Sequence, residues 1–200
     1  GGWSVYTDHS MSEFTKPISL REVTVKSYLA QISSAEKRSD MEEVLRIRLD
    51  YEQYEESWRI GQKLSAITAP FSQLVSFQIT EKKSAELEGL LSNADIYVAT
   101  GLADSITVAS GYLATGDYTN ATKYYEYAAI ENPNNANLQA LRSVAWAAKA
   151  EETTDTSEKL KLVGRSQGFA KVAAQYGIDE SKIKALTIEL KANKALKRSP

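Results

Sequence analysis

The stretch Val108-Ala-Ser-Gly-Tyr112-Leu-Ala-Thr-Gly116-Asp-Tyr118-Thr-Asn-Ala121-Thr-Lys-Tyr-Tyr125-Glu-Tyr-Ala128-Ala-Ile-Glu-Asn-Pro133 decides the fold. Its spacing reads as two helices joined by a tight bend. Tyr112 packs from the first helix, Gly116 supplies the positive φ that ends it, and Tyr118 fills the bend. Ala121 and Ala128 are small where the helices touch, Tyr125 wedges towards the next unit, and Pro133 stops the second helix. A hairpin of this size cannot bury its apolar face alone, so further helices must flank it.

That spacing resembles the tetratricopeptide repeat (TPR), a pair of antiparallel helices, over one full unit at about residues 102–135. Two departures are mild: Ala109 stands for the family's usual small Gly, and Ser105 for a frequent large aromatic. One repeat further on, Ser143 and Trp146 take the small and aromatic positions, so 136–150 reads as the first helix of another unit. Ala150, Glu152 and Asp155 then break the pattern, which an insertion around Glu151 to Ser157 explains. One repeat back, Leu87, Leu91 and Ala94 match the second helix loosely. The resemblance implies a concave groove lined by each first helix, presenting Ala103, Ile106, Thr107, Ser110, Leu113 and Ala114, then Asn137, Ala140, Leu141, Val144 and Ala148. Peptide-carboxylate-binding members carry Lys and Asn on this face, which here holds Ile106 and Ser110, so that form of recognition is not expected. Ile106, Thr107, Ser110, Ala114, Ala140 and Val144 are the candidate partner-binding residues. An apolar groove is a poor surface to leave wet, so either another helix of the same chain fills it or an apolar partner helix does.

The candidate for self-filling lies upstream. Val44, Ile47, Tyr51, Tyr54 and Trp58 recur at spacings of three and four and form one helical stripe. A second stripe, Ile60, Leu64, Ile67, Phe71 and Leu74, follows after a phase slip, with Pro70 as a kink or helix start. Arg38 with Glu42, Glu42 with Arg46, Arg48 with Glu52 and Glu55 with Arg59 stand four apart on the outer face. The stutter and the bulky aromatics favour an amphipathic helix packed in its own domain over an intermolecular coiled coil.

Breakers are few, the four prolines being Pro17, Pro70, Pro133 and Pro200. Capping boxes at Ser19 to Glu22, Ser39 to Glu42 and Asp155 to Glu158 open helical runs. Together these signals predict helices near 19–34, 39–67, 70–80, 83–99, 102–115, 119–131, 135–151, 156–176 and 179–197. Four alanines precede residue 85 and 21 follow from it, a change that suits helices packed closely. The reading is all-α: a flexible amino-terminal arm over 1–18, amphipathic helices over 19–82 and, over 83–200, hairpins stacked as a short TPR-like α-solenoid. About 70% of the unfolded surface of a 200-residue chain can be buried, so this suffices for one continuous core.

Composition weighs against catalysis. With no Cys and one His, thiol chemistry, zinc clusters and His relays have no material. Gly164-Arg-Ser166-Gln-Gly168 fits the nucleophile-elbow pattern, yet the only His, His9, precedes it in the chain and no βα alternation surrounds it. Adjacent pairs such as Glu42 with Glu43 diverge on a helix and read as solvated faces. No phosphate-loop, zinc-helix or Ca²⁺-loop pattern occurs, so no cofactor and no metal is expected.

Twenty-four basic against 26 acidic residues give a net charge of −2, so nucleic acid is not an expected partner. The lysines from Lys182 to Lys197 follow Asp179 and Glu180 on the last helix, an order that suits its dipole. Of the tyrosines Tyr118, Tyr124, Tyr125 and Tyr127, helix packing accounts for most, and Tyr124 is the one placed to meet solvent. The most apolar run, Ile96 to Leu113, is interrupted by Thr100, Gly101, Asp104 and Ser110, so no membrane insertion is expected. The absence of Cys fits a reducing cytoplasm, the working expectation for location, and equally an exported domain. Gly1-Gly2 resembles a cleavage scar and leaves the flanking sequence open. The function expected is a non-enzymatic TPR-like scaffold for protein or peptide, with homo-oligomers open. The alternative is an extracytoplasmic or membrane-tethered helical sensor domain of a longer protein.

Overall fold

The computed structural model describes residues 20–59 and 68–188 and is all-α, with no strand among the described residues. The arm over 1–18, the Ser19 cap, Ile60, Leu64, Ile67 and the lysines beyond residue 188 lie outside the described residues, as does the Trp58 side chain. Two compact units divide the chain, residues 1–51 and 52–200.

In the first unit, α1 (Leu20–Lys37) and the opening of α2 (Met41–Arg59) form a helical hairpin. Val44 and Ile47 pack on Ile32 and Ala35, and Tyr51 stacks on Tyr28 with ring centroids 5.5 Å apart. This half of the Val44-to-Trp58 stripe is therefore engaged with α1. The capping box differs from the sequence reading: Ser39 takes a left-handed φ of 56°, and the Asp40 carboxylate accepts from the Glu43 N–H at 3.1 Å. Once Ser39 makes the turn, Asp40 is left as the residue placed to cap. On the surface Arg46 pairs with Glu43 and Arg48 crosses to Glu36, contacts worth little in water.

The second unit carries α3 (Ala69–Thr80), α4 (Ser84–Leu91), α5 (Ala94–Ala99), α6 (Ser105–Thr115), α7 (Tyr118–Glu131), α8 (Ala136–Glu151) and α9 (Thr156–Gln175), and is helical again over 180–188. Pro70 starts α3, where its missing N–H costs nothing. The single helix expected over 83–99 is broken at Ser92-Asn93. The Ser92 hydroxyl donates to the Gly89 carbonyl, a local bond that competes with continued winding. Asp104 delays the next helix to residue 105, its carboxylate accepting from the Thr107 N–H at 2.8 Å and the Thr107 hydroxyl at 2.9 Å. Asp117, Asn135, Asp155 and Asp179 cap in the same way.

Gly116 ends α6 with a φ of 84°, and the Asp117 N–H bonds back to the Tyr112 carbonyl. Tyr118, Ala121, Tyr125 and Ala128 are buried along α7. α6 packs on α7, α7 on α8 and α8 on α9, while α4 covers α6 and α3 touches both. Phe71 of α3 is fully buried, its ring 5.4 Å from that of Tyr97. Gly111 is the tight spot: a Cβ there would stand 3.0 Å from a methyl of Leu91.

The other helical glycines contrast with it. Gly164 and Gly168 of α9, the two glycines of the elbow pattern, are exposed, and a Cβ on either would meet no neighbour within 4 Å. Gly164→Ala and Gly168→Ala are each expected to stabilise by about 0.5 to 1 kcal/mol. Gly116→Ala is expected to destabilise by about 1 to 2 kcal/mol through its left-handed backbone. Thermal melts of the three variants should move in opposite directions.

Candidate protein-interaction surface

The expected groove residues sit on α6 and α8. Ile106, Thr107, Ser110 and Ala114 are half-buried, whereas Ala140 and Val144 are 0% and 2% exposed and offer no surface to a partner. The Ser110 hydroxyl is turned into the hairpin, 2.9 Å from the Tyr125 hydroxyl. Tyr125 thus reaches back to α6 with its polar tip, and burial pushes its phenol up to about 12 although the Ser110 bond opposes this. Thr107 is committed to the Asp104 cap. At the start of α8, Asn137 accepts from the Lys182 ammonium at 2.9 Å and Asn134 from the Tyr176 hydroxyl at 3.1 Å. The chain after α9 therefore returns to the amino-terminal end of α8.

Tyr124 is 2% exposed, contrary to the expectation that it would face solvent; Tyr127 is the exposed one, at 47%. Tyr124 stacks on Tyr112 at 5.7 Å, meets Tyr127 edge-on at 5.6 Å, and donates to Asp95. Tyr112 donates to the Leu91 carbonyl, and its phenol is held above its ordinary value by burial and by Asp117 and Asp95. Beside Tyr112 lies an open cleft of about 640 Å³ that also includes Glu88, Asp117, Asn120 and Glu152.

A second cluster spans α7, α8 and α9. Glu126 takes two bonds from the Arg142 guanidinium, at 2.6 and 3.3 Å, and one from the Trp146 indole N–H at 3.3 Å. Arg142 lies 3.8 Å over the Phe169 ring. Arg165 and Lys149 lie 4.8 and 5.2 Å from the Trp146 ring centroid. Trp146, Ala150 and Leu162 form the core beneath, with Val163 and Phe169 against it. Sequence reading placed Trp146 as a packing residue and missed its cations. The signal was present in the spacing Arg142, Trp146, Lys149 along one face of α8 and Arg165, Phe169 along one face of α9.

Ser166, the serine of the elbow pattern, is buried in mid-helix and donates to the Ser143 carbonyl at 2.7 Å. No strand-to-helix turn presents it, and its hydroxyl is engaged. In the sequon Asn120-Ala121-Thr122, the Thr122 hydroxyl is buried on the Tyr118 and Thr119 carbonyls and the Asn120 amide is held by Asp117. Among the described residues no helix is long and apolar enough to cross a membrane. Comparison with protein-family models, with curated proteins and with solved structures finds no match.

Proposed function

We propose that the chain is a non-enzymatic, TPR-like helical scaffold that binds protein or peptide. The observation that carries this reading is the α6–α7 hairpin turned by Gly116, with α8 packed on α7 and α9 on α8. Successive antiparallel pairs of this kind bury a continuous core by stacking and leave the faces of their first helices as a groove for contacts. Ile106, Thr107, Ser110 and Ala114 keep part of their surface and form the binding positions, joined on α8 by the half-buried Leu141. Ala140 and Val144 act beneath them as support.

A photo-crosslinking residue at Ile106 or Leu141 should give a discrete protein adduct in extract from the native source, and the same residue at exposed Gly89 of α4 should not. No adduct from either α6 or α8 would refute the scaffold reading. Ser110→Lys checks the same face for stability. Losing the Tyr125 bond and forcing an ammonium out of a half-buried site should cost about 1 to 2 kcal/mol in urea melts. A variant as stable as the parent would mean that Ser110 lies on an open groove.

A further inference from the structure

The cluster on Trp146 contains more positive charge than its packing uses. Arg142 is neutralised by Glu126, in a pair whose arginine side chain is only 12% exposed. Arg165 and Lys149 differ: both lie against the Trp146 ring, and among the described residues neither has a carboxylate within ion-pair distance. Lys161, one turn before Arg165 on α9 and exposed like it, adds a third cation beside the half-buried Lys149. The indole face holds the Arg165 guanidinium and the Lys149 ammonium themselves, so their N–H donors are pre-positioned, and less side-chain freedom is lost when an anion arrives.

We propose that this edge, Lys149, Lys161 and Arg165 around Trp146, docks an acidic segment of a partner protein, whose carboxylates pair with the Arg165 fork and the two ammonium groups. The inference rests on the scaffold reading and names the chemistry of one partner. Charge complementarity selects that occupant. The island is short, is followed by Glu151 at the end of α8 and Glu152 just past it, is preceded on α9 by Glu158, and belongs to a chain of net charge −2. A phosphate backbone or an anionic membrane needs a longer basic track, whereas two or three carboxylates of a peptide fit between these glutamates.

The probe is a fluorescein-labelled peptide of four Glu-Asp-Leu repeats, followed by anisotropy with the full chain at low salt. Saturable binding is expected, weakening as salt rises. Arg165→Gln with Lys149→Gln should weaken it about tenfold or more, and Arg165→Lys by less, while Lys123→Gln on α7 should leave it unchanged. Thermal melts of the glutamine pair verify folding, since both side chains lie outside the core. No saturation below about 1 mM peptide would overturn the proposal. So would unchanged affinity in the double glutamine variant, or tighter binding of a single-stranded 12-mer oligonucleotide or phosphatidylserine vesicles through the same residues. Failure here would leave adducts at Ile106 and Leu141 untouched, so the two ideas fall separately.

Discussion

Tyr125→Ala is expected to remove about 3 to 5 kcal/mol of stability, enough to leave much of a domain of ordinary stability unfolded. The ring has no exposed surface and is central to the α6–α7 hairpin, where backbone on both sides restricts collapse into the space left. Tyr125→Phe separates the ring from the hydroxyl and should cost about 1 kcal/mol, the usual net value of a bond such as that to Ser110. The comparison changes with pH. Because the folded phenol titrates near 12 and an unfolded one near 10, the folded state holds its proton more tightly. The associated stability is fully present below pH 10 and is lost as pH rises towards 12, by roughly 2 to 3 kcal/mol. Tyr125→Phe lacks this titration, so urea midpoints of parent and variant should converge and then cross between pH 10 and 12. Parallel curves would show that the phenol ionises without opening the hairpin.

Trp146→Ala is the other large effect, about 3 to 5 kcal/mol. The indole is 6% exposed, packs with Ala150 and Leu162, and gives its N–H to Glu126. Its removal also takes the platform from Arg165 and Lys149. Arg165→Ala should cost no more than about 1 kcal/mol, since a cation stacked at an exposed site contributes little to folding. Chemical unfolding followed by far-ultraviolet circular dichroism gives both values. Similar losses in the two variants would mean that the cation, and not the indole, holds α8 against α9.

Helix starts and stops were the most legible features. Asp155 caps where its spacing to Glu158 said it would, Gly116 turns left-handed where the bend required it, and Pro70 opens α3. These signals act within about four residues, so no tertiary knowledge is needed to see them. Ser39 against Asp40 shows the limit: two adjacent cap formers compete, and turn geometry decides between them. Contacts between helices were harder to see. Tyr124 and Tyr127 both belong to α7, and only Tyr112 and Asp95, far apart in sequence, determine which is covered. Likewise nothing local tells that Gly164 faces solvent or that Arg165 lies on Trp146, because α8 and α9 meet in a register fixed by their whole interface. Ile106 to Ala114 fall within a single helix, as their spacing predicted, but burial of Ala140 and Val144 depends on neighbours that periodicity does not specify.

Five starts in the second unit, at residues 104, 117, 135, 155 and 179, are each closed by a short carboxylate or amide within its own first turn. Where each segment begins is therefore specified by residues within a few positions of its start. The search during folding reduces to docking neighbours whose ends are already defined, a topology that assembles rapidly and exposes little sticky surface on the way. Exchanging one hairpin for another of different contact chemistry should leave the register of the rest intact.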